Sequence, residues 1–261
     1  MTAATSLPGL VPDWAAPAGV RALVTTRRGG VSAGSFGLDG GEPGGLNLGD
    51  HVGDDPDAVR ENRSRLAAAV PGPIRWLQQV HGTAVHDADS PWTGAAPPVA
   101  DAAVATRPGA VLAVMTADCL PILLADVSGR AVGAAHAGWR GLAAGVAEAA
   151  VDAVRERAGR EARLLAWLGP AIGPSAFEVG DEVRQAFCEL DAAAAAAFMP
   201  GPTPGKWWAD LFALARLRLA ARGVVDVAGG GLCTVTERAR FYSHRRDRGS
   251  GRFASLVWLA A

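Results

Sequence analysis

Cysteine and lysine are both scarce in this sequence. Its 261 residues include three cysteines, and an odd number argues against a framework of paired disulfides. Free thiols are typical of a reducing compartment, so the expected location is cytoplasmic. Of the 25 basic residues only Lys206 is a lysine, and the formal net charge is −1. This balance lacks the strongly basic surface typical of nucleic-acid-binding proteins, and no nucleic-acid partner is expected.

Long apolar runs are also missing. The longest alanine-dominated run, Ala192 to Ala197, is far shorter than the roughly 20 residues that cross a bilayer, so no membrane association is expected. The first 20 residues contain no basic segment followed by an apolar core, which argues against a secretory signal. Glycine (33 residues) and proline (17 residues) are instead abundant, and 49% of the chain is hydrophobic. This composition indicates a globular protein rich in turns.

Apolar runs of strand length alternate with helical patterns along the chain. The predicted strands are residues 22–26, 74–77, 102–106, 111–115, 122–125, 131–135, 164–168, 224–227 and 255–259. The predicted helices are residues 56–70, 142–154, 181–190 and 208–222, and residues 27–30 are predicted as a turn. The alternation predicts a single α/β domain over residues 1–261, with an irregular segment at 1–19. The strands between 111 and 135 follow one another too closely for helical crossovers, so a mixed sheet is expected.

Three reactive side chains follow apolar runs at places where a predicted strand ends. His81 comes after the run 74–77, Cys119 after 111–115, and His136 after 131–135. Functional sites of α/β folds tend to lie at strand ends, so these side chains can converge at one edge of a sheet.

Two chemistries use two histidines and one cysteine. One is a zinc site with three protein ligands and an open fourth position. The other is a Cys119 nucleophile activated by His136 as base, as in thiol hydrolases. The spacings match no short zinc motif, so a buried cysteine with two hydrogen-bonded histidines stays open as a third interpretation. Cys188, beside Phe187 on the apolar face of a predicted helix, is interpreted as a core thiol.

Arginines beside glycine turns form a second theme. Arg27, Arg140 and Arg245 each lie in or next to a turn or a helix start, where guanidinium and backbone N–H groups suit phosphate. Gly138 and Gly141 flank Arg140 and are expected to leave room for an anion. Asn47 begins a loop of glycines and carboxylates that extends to Asp55, and it joins the arginines as a candidate substrate-binding residue.

Nine ordered motifs make the sequence resemble one known family from about residue 22 to 259. They are TTRRGGVS, NLGDHVGDD, QQVHG, TADCLPILLAD, AAHAGWRG, LGPAIGP, FEVGDEV, GGLCT and FYSHRRDRGSGR. The chain resembles the bacterial YfiH/YlmD family, whose members are described as multicopper polyphenol oxidoreductases (laccases) and as purine nucleoside phosphorylases. Its human relative is laccase domain-containing protein 1.

The resemblance implies a four-layer α/β/β/α sandwich with mixed β-sheets. It also implies a zinc ion held by His81, Cys119 and His136. The implied reactions are phosphorolysis of adenosine, inosine, guanosine and S-methyl-5'-thioadenosine to the free base and a pentose 1-phosphate, with deamination of adenosine. The expected partners are therefore purine nucleosides and phosphate, and a monomer is compatible with the sequence. The older description implies copper-dependent oxidation of phenols, with Cu²⁺ as the alternative metal.

The histidine and cysteine content favours one metal ion over a multi-copper centre. Five histidines are present, and no His-X-His pair occurs. Many relatives read GPCC and CTYC where this chain has Ala176 and Thr236 at the second cysteine positions. A cluster of several copper ions needs more histidine and thiol ligands than these, whereas one ion with two histidines and one cysteine fits zinc.

Overall fold

The computed structural model describes residues 7–91 and 93–261, in which two large mixed sheets stack face to face. The strands, in chain order, are β1 Gly9–Leu10, β2 Val20–Thr25, β3 Arg28–Ser32, β4 Ile74–Arg75, β5 Val85–Asp87, β6 Ala102–Ala105, β7 Val111–Thr116, β8 Leu120–Asp126, β9 Val132–Ala137, β10 Leu164–Leu168, β11 Glu178–Gly180, β12 Phe198–Pro200, β13 Lys206–Ala209, β14 Asp226–Gly229 and β15 Phe253–Leu259. The helices are α1 Pro56–Ala68, α2 Trp139–Ala144, α3 Val146–Ala158, α4 Asp181–Cys188, α5 Leu211–Ala220 and α6 His244–Asp247.

Each large sheet combines antiparallel and parallel pairs. The first has the strand order β1-β2-β15-β7-β4, and only the β7–β4 pair is parallel. The second has the order β14-β10-β8-β9-β6-β5, with parallel pairs at its two edges. Strands β11, β13 and β12 form a smaller antiparallel sheet. The mixed-sheet prediction is therefore confirmed.

The central strands of both large sheets are buried on their two faces, which explains the continuous apolar runs in the sequence. In β7, Val111 and Ala113 pack with Leu66 of α1, whereas Leu112 and Val114 face the second sheet. In β8 the faces alternate in the same way between the first sheet and the cluster that contains α3, α4 and α5. The order of layers is thus α1, first sheet, second sheet and the remaining long helices. This is the α/β/β/α sandwich that the resemblance implied.

Four elements differ from the sequence-based predictions. Residues 28–32 form β3 instead of a turn, because Arg28 and Ser32 both bridge to Gly45. The helix predicted at 142–154 begins at Trp139 and is interrupted at Gly145. Gly145 has a φ of 105°, a left-handed conformation that separates α2 from α3.

The other two differences concern short strands. Trp208 belongs to β13, and the following helix begins only after Asp210, whose side chain accepts a hydrogen bond from the Ala213 N–H at 2.9 Å. In the segment predicted as irregular, Gly9–Leu10 pairs with β2, while residues 1–6 lie outside the described part of the chain. None of the helices described is long and apolar enough to cross a membrane.

Chain crossings between the two sheets determine where the reactive residues meet. The β4–β5 connection carries His81, the β7–β8 connection carries Cys119, and the β14–β15 connection carries Arg245. Each of these segments leaves one large sheet and enters the other. Residues far apart in sequence are therefore gathered at the edge where the sheets exchange strands.

Candidate metal centre and active site

The pairing of β8 with β9 brings Cys119 and His136 together. Pro121 is the cross-strand partner of His136, and Leu120 is the partner of Ala137. Cys119 directly precedes β8 and therefore lies beside the end of β9. His136 is inside β9, not in the loop after it as predicted, and it is buried, with an exposed fraction of 4%.

His81 reaches the same place on a strained loop. Its φ of 61° is in the left-handed region, which is uncommon for a residue with a side chain. The loop is held there by the carboxylate of Asp101, which accepts the backbone N–H groups of Val80 at 3.1 Å, His81 at 2.9 Å and Gly82 at 2.7 Å. One buried side chain thus holds the backbone from which the His81 ring projects.

The same carboxylate orients the second histidine. Asp101 Oδ1 lies 2.8 Å from His136 Nδ1, and the Asp101 carbonyl accepts the His136 backbone N–H at 2.7 Å. A proton held on Nδ1 leaves the Nε2 lone pair of His136 available for a ligand. A carboxylate behind a ligating histidine is the usual partner in metal sites.

The three side chains fit a single metal ion. Their ligand atoms lie within 4.8 Å of one another, and they are the one group of three or more metal-binding side chains in the described part of the chain. Cys119 Sγ is 3.7 Å from His81 Nε2, inside the range of about 3.3–3.8 Å that two ligands of a tetrahedral zinc ion span. His81 is exposed, which leaves an open side for water or substrate.

The side chains of the cluster shift the pKa values of one another. Burial raises the pKa of the Cys119 thiol, but His136 and His81 outweigh it and lower this pKa to about 6. Burial lowers the pKa of His136, yet Cys119 and Asp101 raise it to about 9. The pKa of Asp101 is lowered overall, because hydrogen bonds from His136 and the loop outweigh its burial. In the metal-free protein, thiolate and imidazolium therefore stabilise each other.

Two candidate substrate-binding residues, Arg27 and Asn47, have buried side chains. The Arg27 side chain is buried and donates to the carbonyls of Gly37, Leu38 and Arg238. The Asn47 side chain is also buried, and its amide atoms bond to the backbone of Gly49 and Arg252 and to the carboxylate of Asp54. Both side chains use their hydrogen-bonding groups inside the protein, and their role in binding phosphate or nucleoside stays a prediction.

The other two arginines are exposed. Arg140 lies in the first turn of α2, and its guanidinium stacks 4.5 Å from the centre of the Trp139 ring. Arg245 donates its backbone N–H to Asp118 at 2.6 Å, and its side chain bonds to the Glu178 carbonyl at 3.1 Å. Both guanidinium groups remain accessible to an anion.

The space expected at the glycines beside Arg140 is filled by the site itself. A Cβ at Gly138 would lie 2.7 Å from His81 Cδ2 and 3.0 Å from Cys119 Sγ, and one at Gly141 would lie 3.1 Å from the Gly82 carbonyl oxygen. These glycines therefore allow α2 to approach the metal-binding side chains.

Three contributors were missed by the sequence reasoning. Asp101 directly precedes a buried apolar strand, and its isolated charge there is the only sequence signal for it. Asp118, next to Cys119, has a φ of 94° and accepts the Thr234 hydroxyl at 2.6 Å, which ties the β7–β8 turn to the β14–β15 segment. Arg252 precedes β15, whose Phe253 pairs with Thr116 near Cys119.

The remaining two cysteines lie outside the cluster. Cys188 ends α4 and is half-buried, so the prediction of a core thiol is wrong. Cys233 accepts the Gly173 backbone N–H at 3.3 Å, and this hydrogen bond joins two of the motif segments. All three cysteines are free.

A family model described as multi-copper polyphenol oxidoreductase laccase matches residues 21–260. The chain belongs to this family. Within it, the chain is 56% identical over 250 residues to purine nucleoside phosphorylase PA4543 of Pseudomonas aeruginosa, a match that covers 96% of this chain and 98% of the relative. It is 50% identical over 253 residues to purine nucleoside phosphorylase YfiH of Escherichia coli, covering 96% and 98% of the two chains.

Solved structures of family members have the same fold. Protein NMB0706 of Neisseria meningitidis superposes with a TM-score of 0.88 at 48% identity, covering 97% of this chain and 99% of that one. YlmD of Geobacillus stearothermophilus superposes with a TM-score of 0.79 at 33% identity, covering 97% and 100%. The resemblance to the YfiH/YlmD family and the predicted fold class are both confirmed.

Proposed function

We propose that this protein is a zinc-dependent purine nucleoside phosphorylase. Its substrates would be phosphate and adenosine, inosine, guanosine or S-methyl-5'-thioadenosine, and it would also deaminate adenosine. The observation that carries the proposal is the meeting of His81, Cys119 and His136 in a chain 56% identical to a relative named purine nucleoside phosphorylase. The three free cysteines suit the reducing cytoplasm, where nucleosides and phosphate are both available.

The donor set suits zinc. Two imidazole nitrogens and one thiolate would hold the ion through His81, Cys119 and His136, with a fourth position open to solvent on the His81 side. When bound, zinc supplies a Lewis acid and lowers the pKa of a coordinated water. Asp101 accepts a hydrogen bond from His136 Nδ1, so Nε2 would be the nitrogen that holds the ion, and metal binding would release the Nε2 proton of the imidazolium.

Phosphorolysis forms a bond from a phosphate oxygen to the sugar C1' and breaks the bond from C1' to the purine nitrogen. The protein must therefore hold phosphate in line with that bond, which is a positioning effect. Arg140 and Arg245 are the two candidate phosphate-binding residues whose guanidinium groups stay exposed. Deamination replaces the 6-amino group of adenosine by the oxygen of water and releases ammonia, so it needs water on the open side of the cluster.

A second candidate function is a thiol hydrolase. The depressed pKa of Cys119, the raised pKa of His136 and the Asp101–His136 hydrogen bond follow the order of a nucleophile, a base and an orienting carboxylate. The same geometry serves zinc binding, so metal content separates the two functions. Copper-dependent phenol oxidation has less support, because the residues described offer a single metal-binding group and a multi-copper oxidase needs several.

One experiment tests these functions together. Protein purified without added metal is analysed for metal content and incubated with adenosine, with and without phosphate, and the products are identified. About one zinc per chain with phosphate-dependent release of adenine and ribose 1-phosphate supports the proposal. Metal-free protein whose Cys119 reacts with iodoacetamide and which leaves nucleosides unchanged favours the hydrolase, and oxidation of phenols with bound copper favours the laccase.

A further inference from the structure

Arg252 lies at the metal-binding edge of the sandwich and is held there by its backbone. The residue after it, Phe253, pairs with Thr116 at the end of β7, three residues before Cys119. The Arg252 N–H donates to Asn47 Oδ1 at 2.8 Å, and its carbonyl accepts the Leu48 N–H at 3.0 Å. The buried Asn47 therefore fixes the position of the Arg252 backbone.

The Arg252 guanidinium is only partly used by the protein. Nη1 donates to the carbonyls of Ser250 at 2.7 Å and Gly251 at 3.2 Å. In residues 7–91 and 93–261 no acceptor bonds to Nε or Nη2, and no carboxylate forms an ion pair with the Arg252 guanidinium. Burial lowers the pKa of Arg252, and the negative charges of Cys119 and Asp118 oppose that shift. The guanidinium is thus half-buried, has unused donors, and belongs to a residue whose chain neighbour pairs with Thr116, three residues before Cys119.

A buried hydroxyl without a hydrogen-bond partner in the described part of the chain belongs to Ser250, whose main-chain carbonyl accepts from this guanidinium. Ser250 is fully buried, and its Oγ has no hydrogen-bond partner among the described residues, although its carbonyl accepts from Arg252. A buried hydroxyl that makes no hydrogen bond costs stability, and such groups are retained where a ligand or ordered water completes them. Both side chains can donate, so a matching ligand must be rich in acceptors, and the positive charge of Arg252 selects an anion.

We propose that Arg252 and the Ser250 hydroxyl form an oxyanion subsite that holds inorganic phosphate beside the His81–Cys119–His136 cluster. The subsite deepens the proposed phosphorylase function and rests on it. Arg252 would donate through Nε and Nη2, in the paired geometry that guanidinium groups adopt with phosphate, and Ser250 would donate through its hydroxyl. The role differs from that of Arg140 and Arg245, whose exposed side chains approach the site from solvent.

Direct binding of inorganic phosphate tests the subsite without any turnover. Isothermal titration of the zinc-loaded protein is compared with Arg252→Gln and Arg252→Lys, and with Arg163→Gln as a control for loss of one arginine. Arg163 is 78% exposed and pairs with Asp226 beside the far end of β8. We expect Arg252→Gln to weaken phosphate binding tenfold or more, Arg252→Lys to weaken it less, and Arg163→Gln to leave it unchanged.

Ser250→Ala separates a ligand-binding role from a structural one. Removing a hydroxyl that has no protein partner should leave the melting temperature unchanged or higher, while phosphate binding weakens several-fold. Unchanged phosphate affinity in both Ser250→Ala and Arg252→Lys, or no phosphate binding by the wild type, overturns the subsite. Because these two substitutions are mild, they decide the outcome even if Arg252→Gln does not fold.

Kinetics then distinguish failure of the subsite from failure of the function. With phosphorolysis measured against phosphate concentration, the Arg252 variants should show a raised KM for phosphate with a smaller change in kcat. Wild-type phosphorolysis with an unchanged phosphate KM in these variants would overturn the subsite and keep the function. Phosphate binding that depends on Arg252, without phosphorolysis by the wild type, would overturn the function and keep the subsite.

Discussion

Asp101 Oδ1 and His136 Nδ1 lie 2.8 Å apart in the interior between the strands, and Asp101 is fully buried. The same carboxylate receives three consecutive N–H groups of the His81 loop. One side chain thus holds the His81 backbone and the His136 ring, which belong to two of the three proposed metal ligands. The relationship predicts that metal affinity depends on Asp101.

Asp101→Asn should weaken zinc binding about 10- to 100-fold, because an amide cannot accept all four hydrogen bonds and no longer fixes the His136 tautomer. Zinc affinity is measured by competition with a chelator. Asp126→Asn is the matched control, since Asp126 is equally buried and pairs with Arg130 at the other end of β8. The control should lose stability and keep its zinc affinity. Equal zinc affinity in folded Asp101→Asn and wild-type protein would show that the carboxylate serves only the fold.

Cys119→Ala should abolish nucleoside turnover while the protein remains folded. The substitution removes the proposed thiolate ligand at a half-buried position, so it should cost metal affinity more than packing. Turnover, zinc content and circular dichroism are measured on the same preparation. Cys188→Ala is the matched thiol deletion outside the cluster and should retain activity. Wild-type turnover by Cys119→Ala would remove Cys119 from the proposed mechanism.

Alkylation of the metal-free protein should reveal the thiolate of Cys119. Its pKa of about 6 means that the reactive thiolate forms as pH rises through 6, so the rate with iodoacetamide should level off by about pH 7. An ordinary thiol, with a pKa near 8.5, would still gain reactivity over that range. Mass spectrometry of the Cys119 peptide against the Cys188 peptide supplies the measurement and the control. His136→Gln should move the Cys119 profile to higher pH, since it removes the main charge that favours the thiolate.

The fold and the central cluster could be predicted because their signals are local. Strand-length apolar runs show where the buried strands of two stacked sheets lie, and reactive residues just after such runs converge when the chain crosses between sheets. The break at Gly145 and the small sheet of β11, β12 and β13 could not be predicted in this way. Each depends on which distant segment packs against these residues, and neither the hydrophobic periodicity nor the secondary-structure propensity of the sequence contains that information.

The supporting residues of the site were harder to predict for the same reason. Asp101 acts through a loop 20 residues away, and Arg252 is positioned by Asn47, which is 205 residues away. Conversely, Arg27 beside a glycine turn suggested phosphate binding, although its guanidinium turns inward to three carbonyls. Residue type and local turn chemistry are the same for a buried and an exposed arginine, and only the tertiary structure separates them.

Arg27→Gln should therefore destabilise the protein without changing its use of phosphate. Its guanidinium donates to carbonyls of Gly37, Leu38 and Arg238 and stacks 4.9 Å from the centre of the Tyr242 ring. Losing these contacts should cost about 2–4 kcal/mol of unfolding free energy, measured by urea denaturation. The phosphate KM of the folded fraction should stay at the wild-type value. A raised phosphate KM at wild-type stability would show instead that Arg27 takes part in binding phosphate.

Arg140→Ala should raise the phosphate requirement and affect deamination less. Arg140 is exposed in the first turn of α2, next to Gly138, which packs directly against His81 and Cys119. An arginine in this place can hold the phosphate nucleophile in line with the sugar carbon, whereas deamination uses water and needs no such contact. Because the guanidinium contacts only the Trp139 ring in the described structure, its removal should leave stability within about 0.5 kcal/mol of the wild type.

Phosphate is titrated in the phosphorolysis assay, and deamination of adenosine is measured separately without phosphate. Arg184→Ala is the matched control, since it too stacks on a tryptophan, 4.4 Å from the centre of the Trp207 ring, and lies on α4 outside the cluster. The phosphate KM should rise in Arg140→Ala and stay unchanged in Arg184→Ala. Equal loss of phosphorolysis and deamination in Arg140→Ala, or no loss of either, would mean that this arginine does not position phosphate.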